Sequence, residues 1–184
     1  MKSLKGQAMK QIKDLFAPLV GQLVWQVRRG VGSFLTLEFG TPHLSIKEPI
    51  AASPDSPPRV RRNLKRRGVY VTGDWHLWVQ YGDWTLSTSD GILNSEDPPG
   101  SPLDECLRDL DGQRLVSVDR GNMEGSCAFK FDLGGILEIW PSTEIPDDQW
   151  GLYNWNGGII TCGSTGVLAF DKADPDGRIF KKLY

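Results

Sequence analysis

Cysteine and histidine are nearly missing from this chain. Its 184 residues include three Cys and two His, and Cys106, Cys127 and Cys162 form an odd set without C-x-x-C spacing. Spacing of that kind excludes a complete disulfide framework and a zinc clip, and it points to a reducing compartment. Any imidazole chemistry must run through His43 or His76. Long apolar runs are missing too: no stretch approaches the roughly 18 residues of a membrane-spanning helix. The N-terminus has neither the apolar segment nor the small-residue cleavage site of a signal peptide. The expectation is a cytoplasmic protein with no membrane partner. A large net charge is also absent, since 21 Lys and Arg nearly balance 23 Asp and Glu, for a formal charge of −2.

That balance conceals a split. Residues 1–92 carry 13 Lys and Arg against 7 Asp and Glu, a net +6, while 93–184 carry 8 against 16, a net −8. Such polarity either steers a charged partner to one half or docks the halves on each other. What the chain has in quantity is turn formers, 21 Gly and 12 Pro, which favour short strands over long helices. A chain of this length can bury roughly 70% of its unfolded surface, enough for a real core.

Residues 19–46, LVGQLVWQVRRGVGSFLTLEFGTPHLSI, are echoed by 110–139, LDGQRLVSVDRGNMEGSCAFKFDLGGILEI. Both open on L-x-G-Q and pass through Arg-Gly and Gly-Ser (Arg29, Gly30, Gly32, Ser33; Arg120, Gly121, Gly125, Ser126), then lead through a second alternating run into a third. Each copy reads as an antiparallel meander. A helix precedes each copy. Leu4, Ala8, Ile12, Leu15 and Phe16 recur at helical intervals before Pro18. Ser101-Pro102-Leu103-Asp104 offers an N-cap, a first-turn proline and an acid ahead of the Leu103, Cys106, Leu107 and Leu110 face. The expected fold class is α+β, mainly β, with two tandem helix-plus-antiparallel-meander repeats about a pseudo-twofold. The repeats span 1–92, with a basic insertion at 51–67, and 93–184, with a C-terminal hairpin, together forming one compact unit.

Strands are expected near 23–28, 34–39 and 43–47, then at 69–72. A hairpin follows, formed by 75–80 and 84–87 around Tyr81-Gly82-Asp83. Residues 90–100 read as a polar linker. The second copy continues at 114–118, 128–133, 136–140, 149–154 and 159–161, followed by 167–170 and a tail hairpin closing at 178–183, and Trp150 falls where Trp75 fell. Residues 51–58, AASPDSPP, read as an exposed loop of polyproline character, and 59–67, RVRRNLKRR, as a solvated basic insertion between strands.

Chemistry-bearing motifs are weak. Gly30-Val31-Gly32 precedes a strand where a dinucleotide site needs a helix N-terminus, so it is a tight turn. Gly163-Ser164-Thr165-Gly166 lacks the lysine of a phosphate loop. The acidic turn at 171–177 fails two positions of a calcium loop. A constellation of His43, His76 and Cys127 or Cys162 is the main catalytic alternative, but spacing does not propose it. No catalytic residue, metal ligand or cofactor is expected.

The run from Phe129 to Pro141, F-x-F-x-x-G-G-x-L-x-I-x-P, followed by a W-x-L, resembles small β-rich bacterial proteins of unassigned function. Some of these resemble immunity proteins of toxin systems. The resemblance covers mainly residues 110–152 and implies a non-enzymatic cytosolic protein-interaction module, plausibly of the immunity type that inhibits a toxin. The alternatives are a hydrolase-type enzyme with its site between the repeats, or a nucleic-acid binder. The residues expected to bind a protein partner are Arg59, Arg61, Arg62, Lys65, Arg66 and Arg67 of the basic run, Trp78 of the aromatic strand, and Glu144, Asp147 and Asp148 of the acidic loop.

Overall fold

Period-two runs of apolar residues become strands wherever one face can be buried. In the computed structural model, which describes residues 13–123, 125–142, 144–166 and 168–172, they give β1 (Val24–Arg29), β2 (Leu35–Phe39) and β3 (His43–Lys47). Helix α1 (Pro58–Leu64) precedes β4 (Gly68–Thr72), β5 (Trp75–Val79), β6 (Asp83–Thr88) and β7 (Gly91–Asn94). Helix α2 (Glu105–Leu110) leads to β8 (Leu115–Arg120), β9 (Cys127–Phe131) and β10 (Ile136–Trp140). The last described strands are β11 (Trp150–Asn154), β12 (Gly158–Cys162) and β13 (Leu168–Lys172). The fold is α+β and mainly β.

Three antiparallel sheets result. The first runs β1-β2-β5-β11-β12-β13, the second β7-β6-β10-β9-β8, and the third is the two-stranded ribbon β3-β4. Both large sheets therefore take strands from both halves of the sequence. The chain crosses between the two large sheets twice, between β5 and β6 and between β10 and β11, as strands do at the corners of packed sheets. Gln149 ties these corners together. Its carbonyl accepts from the N–H groups of Gln80, Tyr81 and Gly82 at 2.9, 3.2 and 3.2 Å. Its fully buried side chain accepts from the Ser142 N–H at 2.8 Å and donates to the carbonyls of Ile145 and Asp147, both at 2.8 Å. A Leu23–Arg114 bridge stitches the far edges of the two sheets together.

One apolar core draws on both sheets: Leu35, Leu37, Phe39, Leu77, Val79, Trp150 and Leu152 from the first, and Trp84, Leu86, Leu93, Phe129, Leu137 and Ile139 from the second. Phe16, at the end of the helical turn 13–16, wedges between them, edge-on to Phe129 at 5.1 Å and tilted against Trp150 at 5.8 Å. A 3-10 turn, Pro102–Asp104, leads into helix α2: the Ser101 hydroxyl caps that turn by accepting from the Leu103 N–H at 3.2 Å, and Cys106, Leu107 and Leu110 of α2 are buried. β1 and β8 each carry a bulge, in the middle of β1 between Trp25 and Arg28 and at the start of β8 between Leu115 and Ser117. In β1 the bulge holds Gln26 at φ 51, a left-handed conformation uncommon for a residue with a side chain.

Several expectations need correction. β5 and β6 do not pair as a hairpin, because the chain bends there from one sheet into the other. β3 does not continue the first meander. β5 takes the place beside β2, and β3 pairs with β4 alone. The polar linker at 90–100 contains strand β7, anchored by buried Leu93. The basic insertion at 59–67 is helical over its first part, since α1 starts at Pro58, a favoured first-turn residue. Apart from residues 13–16, the expected N-terminal helix lies outside the described residues, as do the tail hairpin and the acidic turn from residue 173 onward.

Candidate functional site

The β2–β5 ladder continues beyond the sheet. After Phe39 pairs with Trp75, the chain makes a kink at 40–42 and at 73–74, and the two strands rejoin as His43 opposite Thr72. β3, the loop at 48–57, α1 and β4 thus form an arm whose strands, among the described residues, pair only with each other. Nothing in its elements reaches full burial: the exposure of β3 alternates between half-buried and exposed, and α1 has no buried residue.

The arm is apolar on its exposed side. Leu44 pairs with Val71 and Ile46 with Val69, on one face of the ribbon, and these four are 61, 43, 53 and 57% exposed. The polar members of β3, His43, Ser45 and Lys47, face the half-buried side. That inverts the usual rule for a two-sided sheet. Beside this aliphatic face the arm carries seven Lys and Arg between residues 43 and 72 against two Asp and Glu, a net +5. Arg59, Arg61, Arg62, Lys65, Arg66 and Arg67 are all exposed. Arg61 donates to the Ser56 carbonyl at 2.8 Å, and Arg67 grips Glu48 with contacts of 2.8 and 3.0 Å. Among the described residues no cation of the run pairs with a carboxylate of the acidic half, although Lys13 and Arg29 outside the run do reach Asp119 and Asp104.

Both histidines sit at the root of the arm. His43 Nε2 lies 2.7 Å from Asp74 Oδ1, and its ring stacks on Trp155 at 4.6 Å and 6°. Asp74 Oδ2 accepts from the Thr41 N–H at 2.7 Å. The neighbouring pair is His76 Nδ1 with Glu38 Oε1 at 2.6 Å, and Glu38 Oε2 accepts from the buried Gly73 N–H at 2.8 Å. Gly73 is close to the Phe39 backbone: an added Cβ would lie 2.4 Å from that carbonyl oxygen. The root is thus braced by side chains far apart in sequence, a signal invisible to local pattern.

His43 hydrogen-bonded to Asp74, together with the Thr41 N–H, holds the Asp74 carboxyl below its usual range. A depressed carboxyl stabilises the native root above the unfolded-state pKa and loses that contribution as pH falls through the folded value. The Thr41 amide resonance should therefore titrate with a midpoint below the ordinary Asp value of about 3.9. Asp74→Asn should abolish the titration, and a midpoint at or above that value would contradict the bracing.

Trp78 lies half-buried on the outer face of the first sheet, across from Thr36 and Gly151, with Phe34 edge-on at 6.1 Å. Glu144, Asp147 and Asp148 are exposed on the corner before Trp150. That corner is at the Val79 end of β5, opposite the arm at the Trp75 end. The structure gathers the six cations on α1 and the turn that follows it but does not bring the acidic loop to them. The four aliphatics were missed in the sequence because alternation reads the same whether a face meets a core or solvent.

Other chemistry is constrained by the same geometry. Burial pushes the Cys127 and Cys162 thiols up to about 12, with each other's proximity adding to Cys127 and Asp148 to Cys162. Thiols of that kind are protonated and poor nucleophiles at neutral pH. All three cysteines are buried, and titration of the native protein with a thiol reagent at pH 8 should give reaction only at the rate of unfolding. Rapid labelling of Cys127 or Cys162 would show an open site instead. Among the described residues no three His, Cys, Asp or Glu side chains converge as a metal cage. A cleft of about 290 Å³ lies between Arg29, Ser33, Asp83, Ser95 and the 96–99 loop. Its Arg29, with a side chain 6% exposed, is tied to Asp104 at 3.2 Å and to the Asp97 carbonyl, 5.8 Å over the Trp84 ring. Burial, with Glu96 and Glu144 adding to it, raises Asp83 on the opposite wall. Neither histidine lines this cleft. Among the described residues no helix is long and apolar enough to cross a membrane. No family model matches the chain, and comparison with curated proteins and with solved structures finds no match.

Proposed function

We propose that the protein is a cytoplasmic protein-binding module whose interface is the arm from β3 to β4, and that it takes a partner with an acidic, apolar-centred surface. The observation that carries this is the inverted ribbon, with Leu44, Ile46, Val69 and Val71 in solvent beside a net +5. Fully burying one such side chain stabilises by about 1.5–3 kcal/mol, so a partner covering the face gains an apolar centre ringed by cations, the usual anatomy of an interface. An immunity-type inhibitor is the specific form of this reading. It requires a toxin with an acidic site for the arm to occlude, and it fits a bacterial cytosol where the three thiols stay reduced.

The scaffold behind the arm is read as a duplication. The orders β1-β2-β5-β11-β12 and β8-β9-β10-β6-β7 correspond strand for strand once β13 is set aside, with a bulge in each of β1 and β8. In that register Trp150 corresponds to Trp84, both fully buried, rather than to Trp75. The arm is the insertion that only the first copy carries.

Titration against three probes tests the interface: an acidic glutamate–valine copolymer, duplex DNA, and phosphatidylserine vesicles. The expected result is copolymer binding that drops about tenfold or more when Arg59, Arg61, Arg62 and Arg66 are replaced together by alanine, at unchanged Tm. Preferential DNA binding with a steep salt slope would replace this reading with the nucleic-acid one. Preferential vesicle binding would point to a membrane surface, which the hydrogen-bonding edges of the ribbon disfavour.

A further inference from the structure

We infer that the arm holds its partner by strand addition: an extended acidic segment with alternating aliphatic residues pairs with an open edge of the β3–β4 ribbon. The inference rests on the arm being the interface and adds how the contact is made. A two-stranded ribbon has two edges, and among the described residues β3 and β4 pair only with each other. Each strand therefore turns one set of backbone N–H and C=O groups away from its neighbour. Isolated ribbons of this size are marginal in water, and a third strand is what ordinarily secures them.

Natural edges are blunted by proline, inward-pointing charge or a bulge. These are not. β3 reads HLSIK and β4 reads GVYVT, with five consecutive paired positions, no proline, and Lys47 as the one formal charge between them. The chain does use bulges elsewhere, in β1 and β8, so the regular ribbon is a departure from its own habit. An added strand would set alternate side chains beside Leu44 and Ile46 or beside Val69 and Val71, continuing the aliphatic face. The intervening residues would fall on the opposite side.

The cations fix the chemistry of the occupant. Arg59, Arg61, Arg62, Lys65 and Arg66 belong to the helix and turn that close the far end of the ribbon. A strand laid along either edge runs toward them, so aspartate or glutamate in the added segment meets a positive field. A second copy of this chain is the wrong occupant for the same reason, since two +5 arms repel. Strand addition also fits the inverted polarity of the ribbon, in which the backbone edge supplies affinity and the aliphatic row supplies side-chain selection.

The test uses the full chain and a short labelled peptide alternating glutamate with valine. Its comparators are a peptide of equal composition with the two residues in separate blocks, and two versions N-methylated at every second position, one for each parity. Fluorescence anisotropy should show the alternating peptide binding and the block peptide binding about tenfold more weakly. N-methylation at one parity should cost about tenfold or more, and at the other parity little, because only alternate amides of an added strand face the ladder. Hydrogen exchange should slow on the outward amides of one strand of the ribbon only. If both N-methylated peptides bind like the parent, or no alternating peptide binds the wild-type chain, strand addition is wrong while the arm can still be the interface. If binding survives Leu44→Ser with Ile46→Ser and Val69→Ser with Val71→Ser, the peptide sits elsewhere and both readings fall. Concentration-dependent sedimentation of the protein alone, lost in those variants, would make a second copy the occupant and overturn the assignment.

Discussion

Trp150→Ala should lower stability by about 3–5 kcal/mol, about a fifth or more of the ~5–15 kcal/mol that holds a typical domain folded. The corresponding fall in Tm is about 6–20 °C for a chain of this length. Trp150 is fully buried in the strand between β5 and β12, and it packs against Phe16, which in turn meets Phe129 of the other sheet. Truncation opens a hole where helix and both sheets converge, and rigid ladders on either side limit collapse. Trp84→Ala should be at least as damaging, because the Trp84 indole also donates to the Ser33 carbonyl at 2.7 Å and lies under Arg29. The phenylalanine variants separate the two sites. Trp150 Nε1 is buried without an acceptor, so Trp150→Phe removes an unsatisfied donor along with some packing, whereas Trp84→Phe strands a carbonyl. Thermal melts should therefore rank Trp84→Phe below Trp150→Phe. The reverse order would mean that ring volume alone governs both positions.

Excising residues 43–72 should abolish binding of the acidic partner by about a hundredfold or more and leave the fold intact. Joining Pro42 to Gly73 closes β2 onto β5 through Gly40-Thr41-Pro42-Gly73-Asp74, and Asp74 keeps the Thr41 N–H it already holds. No core side chain is lost, since β3, α1 and β4 contribute none. Cooperative melting with a Tm shift below about 4 °C, the scale of a 1 kcal/mol change in a chain of this length, is the expected outcome. Loss of cooperative unfolding would show that the arm supports the sheet. A deletion protein that still binds the copolymer would move the interface off the arm. The magnitude of the binding loss follows from removing the apolar centre and its cations together, where interface energy concentrates.

Most strands were legible because burial imposes alternation: Leu35, Leu37 and Phe39 face the core, while Thr36 does not. The helical stretch from Pro102 into α2 was legible for the equally local reason that Ser101 caps the 3-10 turn that leads into it. Trp75 and Trp78, of opposite parity, do lie on opposite sides of their strand, Trp75 against the core and Trp78 outside. What failed was non-local. Tyr81-Gly82-Asp83 has good turn chemistry, but turn chemistry does not say whether two strands return on each other or bend into a second sheet. β7 is short and contributes one core residue, Leu93, too little for a period to register. α1 is polar around most of its circumference and shows no stripe. The site divides the same way. Six cations in nine residues are plain in the sequence, whereas Glu38 meeting His76 and Asp74 meeting His43 depend on cross-strand register.

The arm concentrates +5 at one end of a molecule whose remaining residues sum to −7, given the chain's total of −2. Charge separated in this way is a permanent electric dipole, and its first effect is on the speed of encounter. An acidic partner is turned toward the arm before it touches, which can raise association rates by about 10-fold or more at low ionic strength. At physiological salt the Debye length is about 8 Å, so the guidance acts only over the last few water layers. The cations then choose which end of the molecule is met first, while the aliphatic face governs how long the meeting lasts.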